Sequence, residues 1–395
     1  MNETRAIFGL SAAHVVTDIY SPVIAAILPL LIVQNNYSYF MAGLIVTVWN
    51  LTSSFTQPVF GWLYDARGKA VPVKVTILIC AVFISAIGLV QSYWVILLFA
   101  VCAALGHALF HPAALGLVSR LAHGPARGRL TSFFVVGGNI GFAVGPIIAG
   151  GLVALYGLHG LALMVIPAVL MAFVLHRILP SEQEVAAIPQ PPRMVGGDVA
   201  DQRRMVRAAG ILVSGSAFRA WAIFGSVAFL PTFLHQVKGL DIVSANLLVS
   251  CMLFAGVLGQ VIVGTLSDTY GRKELVLFFT ALSIPFFLLF MATSGMLSFV
   301  FLIAFGFALW STFSTTVTMA HELVPGNVGL VSGLMLGLAV GAGGAGVAVS
   351  GFYADMTSLA ASMQLFVLPV LVALVLFFLV PYPWRRSVSA QRKDI

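Results

Sequence analysis

Long apolar runs alternate with short polar breaks along the whole chain. The runs cover roughly 6–33, 40–63, 73–91, 94–118, 130–155, 160–180, 208–234, 242–266, 275–293, 297–320, 328–352 and 361–381. A helix needs about 20 apolar residues to cross a bilayer, and most of these runs meet that length. Their apolarity is continuous rather than alternating, which argues against a transmembrane β-barrel. The pattern predicts an all-α membrane protein with twelve transmembrane helices.

The longest polar break, 181–207, carries Pro189, Pro191, Pro192, Gly196 and Gly197. Such a stretch reads as a flexible cytoplasmic linker. It divides the chain into an N-terminal six-helix half, 1–180, and a C-terminal six-helix half with a short cytoplasmic tail, 208–395.

Composition sharpens this picture. Of 395 residues, 60% are hydrophobic and only 8% are Asp, Glu, Lys or Arg. A soluble domain is about 25% charged. The few charges here cannot build a water-facing surface, which excludes an ordinary soluble enzyme, a disordered chain and a disulfide-stapled secreted domain. Cys80, Cys102 and Cys251 all sit in apolar runs with no metal-like spacing, so they read as buried thiols. The first run is too long for a cleavable signal and is interrupted by His14 and Asp18.

The net charge of +7 gains its meaning from where the charges lie. With both termini cytoplasmic, 18 of the 20 Lys and Arg residues fall on the cytoplasmic side. Lys238 falls on the other side and Arg219 lies within a run. This is the positive-inside distribution, and it orients the chain as a multi-pass protein of the inner membrane. The basic charge therefore reports topology, and no nucleic-acid partner is expected.

The two halves repeat one another. Gly61-Trp62-Leu63-Tyr64-Asp65-Ala66-Arg67-Gly68-Lys69 ends the second run, and Gly264-Thr265-Leu266-Ser267-Asp268-Thr269-Tyr270-Gly271-Arg272-Lys273 ends the eighth. Gly61 and Gly264, Asp65 and Asp268, and Gly68 and Gly271 are each 203 positions apart. Pro29 and Pro231 are 202 apart. Paired halves of this kind build transporters with a substrate site near the midplane.

On these doubled loops the chain resembles the major facilitator superfamily, and the resemblance covers nearly its whole length. Gly141, Gly145, Pro146 and Gly150 in the fifth run resemble the antiporter motif of that superfamily. The same spacing also suits close helix packing by small residues. A narrower likeness is to the fosmidomycin-resistance branch of drug efflux proteins. It rests on His14 to Tyr20, on Phe110-His111-Pro112, on Gly137-Gly138-Asn139, and on Arg219 with Pro231. One feature departs from the wider family. Where many drug antiporters carry an Arg four residues before a Gly in the fourth span, this chain has Cys102 before Gly106. Coupling through that Arg is not available here.

Ionisable groups at membrane depth are costly, so each is a candidate site residue. His14, Asp18, His107, His111 and Arg219 fall near the middle of the first, fourth and seventh runs. The resemblance places those spans around a central cavity, together with the tenth. His14 and Asp18 are four apart, on one helical face. A carboxylate beside an imidazole can hold a proton between them, so the pair is the expected proton-coupling element, with a structural hydrogen bond as the competing reading. His107 and His111 are also four apart and read as a polar cavity wall or a relay. Two imidazoles do not make a metal site. His14 and Asp18 could complete one only if the helices converge, and no metal is expected.

Arg219 stays charged in the membrane. It needs an anionic substrate, a carboxylate such as Asp18, or carbonyls as partner. Asn50, Asn139, Trp310 and Ser314 are further cavity candidates, with interhelical hydrogen bonding as the alternative for the polar ones. In the repeated loops, Gly61, Asp65, Arg67, Gly68 and Lys69, and Gly264, Asp268, Gly271, Arg272 and Lys273, are expected to control the conformational switch rather than touch substrate.

The sequence has no G-x-x-x-x-G-K-[ST] phosphate loop and no nucleophile–base set, so neither direct ATP drive nor an enzyme is expected. The reading is a secondary transporter working by alternating access, expected to export a small drug-like or anionic compound. A proton gradient would supply the energy, with no bound cofactor. Its partners would be protons, a small-molecule substrate and the bilayer, and it would act as a monomer. Proton-coupled import of a nutrient or organic anion is the alternative, and a non-transporting membrane sensor is the alternative of another class.

Overall fold

The computed structural model describes residues 3–67, 70–121, 127–179, 202–324, 331 and 333–384. Most of the linker, Gly68, Lys69 and the tail from 385 lie outside them, as do the side chains of Asp65 and Arg67. Every regular element among the described residues is helical. The helices are α1 Glu3–Ile19, α2 Val23–Asn35, α3 Tyr39–Arg67, α4 Val73–Ile87, α5 Tyr93–Leu121, α6 Arg127–Tyr156 and α7 Val165–Ile178. They continue with α8 Gln202–Gln236, α9 Ile242–Tyr270, α10 Arg272–Ala292, α11 Gly295–Leu323, α12 Ala339–Met356, α13 Leu359–Leu365 and α14 Val367–Leu379.

These pieces make twelve helical segments, one for each apolar run. Four segments are interrupted. α1 and α2 are joined by a turn before Pro22, whose missing N–H cannot continue the ladder. A 3₁₀ turn, Leu158–Met164, leads into α7, and a π turn, Gly333–Leu338, leads into α12. α13 passes into α14 at Phe366. Ten of the described helical segments are long and apolar enough to cross a membrane, and Val73–Ile87 is a shorter apolar helix. Their outer faces expose apolar side chains such as Leu155, Leu170, Phe173, Leu258 and Phe278. Lipid is the solvent such a surface requires.

α8 starts at Gln202, ahead of the apolar run expected from 208. Gln202, Arg203, Arg204 and Met205 are good helix formers, so the helix begins inside the stretch read as linker. The chain also forms two compact units. One holds the described residues up to 193 together with Val227–Ser250. The other holds the described residues from 194 to 226 and from 251 onward. The halves set by the sequence repeat follow covalent order and remain a proposal.

In the first unit α6 lies along α1, and glycines make this possible. A Cβ on Gly137 would come within 2.7 Å of the Ser11 carbonyl oxygen, and one on Gly141 within 3.0 Å of Val15 Cα. The second unit has an apolar core that includes Leu212, Val276, Met319 and Phe377.

Candidate functional site in the first unit

α1 and α5 converge on one carboxylate. Asp18 sits one turn beyond His14 on α1, and His107 and His111 sit one turn apart on α5. His14 Nε2 is 3.3 Å from Asp18 Oδ2. His107 Nε2 and His111 Nε2 are 3.2 and 3.6 Å from Asp18 Oδ1. The two α5 imidazoles also approach each other, Nε2 to Nε2, at 3.2 Å. Two pairs read from the sequence, His14 with Asp18 and His107 with His111, thus form one cluster.

Two contacts fix the rings. His14 Nδ1 is 2.7 Å from the Phe134 carbonyl oxygen of α6, and its ring stacks on that of Phe134. A carbonyl only accepts, so Nδ1 must donate, and this sets which nitrogen faces Asp18. His107 Nδ1 lies 2.8 Å from the Ser53 hydroxyl of α3. Trp49 closes over the His107 ring. Gly138 leaves the space: a Cβ there would strike His14 Nε2 and lie 2.6 Å from Asp18 Oδ2.

Ser53, Trp49 and Phe134 were not legible as site residues. Hydroxyls and aromatics are common in spans, and the Phe134 contribution is a backbone carbonyl that no side-chain pattern reports. Asn50 and Asn139 lie in the same unit without joining the cluster, and Asn50 Nδ2 is buried with no hydrogen-bond partner. Of the antiporter-like residues, Gly141 and Gly145 meet the backbone of Val15 and Ile19, and Gly150 meets the side chain of Asn246. All three serve helix packing in this structure.

The second unit holds Arg219 on α8, 1% exposed. Its Nη1 donates to Thr312 Oγ1 on α11 at 2.7 Å, while its Nε is buried and unbonded. The guanidinium carbon lies 5.5 Å from the Phe313 ring centroid and 5.9 Å from that of Phe377. No carboxylate pairs with it among the described residues of its unit. Ser314 donates to the Gln260 carbonyl, and Trp310 packs where Gly256 leaves room. Both stitch α11 to α9.

The second repeated loop is tied together by charge. Arg272 Nη1 is 2.5 Å from Asp268 Oδ1, and its Nη2 is 2.8 Å from Glu322 Oε1. Tyr382 donates to Glu322 as well. Gly271 has φ of 101°, a conformation an L side chain rarely adopts. Lys273 is buried and donates to the Val380 carbonyl at 2.7 Å, beyond the end of α14. Gly264 packs beside Ser314, and Gly61 beside Pro112.

Comparison with known proteins agrees with this architecture. The profile of the Major Facilitator Superfamily matches residues 10–345 and 239–394. The fosmidomycin resistance protein of Escherichia coli (strain K12) is 33% identical over 373 residues, covering 90% of this chain and 89% of that protein. The uncharacterized MFS-type transporter YfnC of Bacillus subtilis (strain 168) is 28% identical, covering 94% and 91%. Among solved structures, a bacterial homolog to the human lysosomal transporter Spinster, inward-facing and occupied, superposes with a TM-score of 0.77 at 17% identity, covering 95% of this chain and 96% of that one. The chain belongs to the major facilitator superfamily of membrane transporters.

Proposed function

We propose that this transporter is a proton-coupled exporter of a small anionic or drug-like compound. The observation that carries the proton part is the bond from His14 Nδ1 to the Phe134 carbonyl. With Nδ1 committed as donor, a neutral His14 presents only a lone pair to Asp18. Two lone pairs 3.3 Å apart in a buried site repel unless a further proton lies between them. His14 and Asp18 therefore bind one exchangeable proton as a pair. It resides on the carboxylate or on the imidazole, with His107 and His111 as neighbours able to pass it on.

Arg219 supports the anionic part. A guanidinium buried beside two aromatic rings, with its Nε unbonded, lacks the counter-charge that burial normally requires. A phosphonate or carboxylate substrate supplies one. Export is supported by the similarity to the fosmidomycin resistance protein of Escherichia coli, since a membrane transporter can confer resistance by carrying a drug out of the cell. The inner membrane, cytoplasmic termini and a working monomer belong to the same proposal.

The test is transport in proteoliposomes under an imposed pH gradient, with fosmidomycin as the first substrate. The expected result is gradient-driven substrate movement opposite to the proton flux. Asp18→Asn should remove the dependence on the gradient. Substrate and protons moving in the same direction would favour import instead. Unchanged coupling in Asp18→Asn would refute the proton assignment.

A further inference from the structure

We propose that His14, Asp18 and His111 form a binding site for one transition-metal dication of the zinc, cobalt or nickel class, with His107 beside it. The inference uses the same side chains as the proton proposal but does not rest on it, because metal binding at equilibrium requires no transport.

The argument is geometric. Four donor atoms at about 2.0–2.1 Å from a tetrahedral zinc ion lie about 3.3–3.4 Å from one another. In the structure His14 Nε2 lies 3.3 Å from Asp18 Oδ2, and His111 Nε2 lies 3.6 Å from Asp18 Oδ1. One ligand atom each from His14, Asp18 and His111 can be chosen so that all lie within 4.8 Å of one another.

The supporting contacts point the same way. A metal-binding histidine characteristically gives its other ring N–H to a carbonyl or a similar acceptor, which fixes the tautomer and aims the free lone pair. His14 makes this contact with the Phe134 carbonyl. A second, independent sign is Asp18 Oδ1. It is buried and accepts no hydrogen bond, although two imidazoles stand close to it. An oxygen so placed has a lone pair free for a cation.

Imidazole nitrogens with a single carboxylate suit zinc, cobalt and nickel, whereas calcium and magnesium require shells of oxygen. Three protein ligands leave a fourth position to water or to a substrate group. Such an ion would clamp α1 to α5 and occupy the atoms offered to the proton, so a bound metal would arrest transport.

The experiment uses the purified full-length chain in detergent, free of any histidine tag. Zinc chloride is titrated by calorimetry, and cobalt chloride by visible absorption. The expected result is one ion per chain, an intense tetrahedral cobalt spectrum, and imidazole ligation of zinc in X-ray absorption. His111→Ala and His14→Ala should each abolish the tetrahedral spectrum. Ser53 bonds His107 rather than a ligand, so Ser53→Ala should leave the one-to-one ion and its tetrahedral spectrum in place. Absence of a one-to-one ion would overturn the proposal. So would an octahedral cobalt spectrum, or a spectrum unchanged in both histidine variants, which would locate the ion on surface histidines. If the variants fail to fold, zinc absorption on the unaltered chain decides, since it reads the ligands directly. Failure of proton coupling leaves this site intact, and failure of metal binding leaves the coupling proposal intact.

Discussion

Arg219 and Asp18 illustrate how one charged residue in an apolar span can be held in opposite ways. Asp18 is ringed by three imidazoles that can share its charge. Arg219 has one neutral hydroxyl and two aromatic faces. Replacing Thr312 by Val removes the acceptor of its Nη1 and should lower stability by about 1–3 kcal/mol, seen as a lower Tm in detergent. Arg219→Met removes the buried charge itself, so its Tm should stay level or rise while transport of anions is lost. A fall in Tm larger than that of Thr312→Val would mark Arg219 as a structural group. At this scale the sequence was legible in part. The depth of His14, Asp18, His107, His111 and Arg219 and the four-residue spacings could be read directly. That α1 and α5 turn their histidines toward each other could not, because a rotation of one residue about either helix axis would separate them.

Helix pairing is governed by what is missing as much as by what is present. α6 approaches α1 through Gly137, Gly141 and Gly145, so carbonyls and Cα atoms stand where side chains would. Gly141→Val places carbon against the Val15 backbone and should cost about 1–3 kcal/mol through forced separation of the two helices. Folded yield and Tm read this directly. A second element-level device lies at the start of α9. Asp241 Oδ1 accepts from the amides of Val243 and Ser244 at 2.9 and 3.0 Å, and its Oδ2 accepts from the Ser244 hydroxyl. The Ser244 hydroxyl and these amides hold the Asp241 carboxyl below its ordinary value of 3.8. A group with a lowered folded-state pKa stabilises above its unfolded value and loses that contribution as pH falls through the folded value. Tm should therefore decline on the acid side in the unaltered chain, and that part of the decline should vanish in Asp241→Asn. An identical acid profile would exclude the cap as its source. The twelve helical segments were legible as apolar runs. Their interruptions at the 3₁₀ and π turns were not, since hydropathy is blind to hydrogen-bond register.

Across the whole molecule, the compact units do not respect the boundaries of helices. α8 and α9 each divide their length between the two units. In the first unit Asn246 Nδ2 donates to the Ala26 carbonyl at 3.1 Å, and Tyr39 donates to Gln236 at 2.9 Å. Gly150 leaves room for Asn246, where a Cβ would lie 2.8 Å from its side chain. A single hydrogen bond contributes about 0.5–1.5 kcal/mol, or roughly tenfold at most in a conformational population. Asn246→Ala should accordingly change turnover by up to about tenfold with little change in substrate KM. An equal change in both would assign Asn246 to substrate binding. The repeat offset could be read from the sequence, whereas this grouping depends on contacts between residues about 100 to 220 positions apart.

The carbonyl of Phe134 has one more consequence. It lies inside α6, yet its oxygen also receives His14 Nδ1. An imidazolium donates more strongly than a neutral imidazole, so the vibrational frequency of this one peptide group should follow the charge on His14. A carbon-13 label at Phe134 would make it an optical gauge, readable by infrared difference spectroscopy. Each loading and unloading of the site could then be timed without a dye, a substitution or a substrate label.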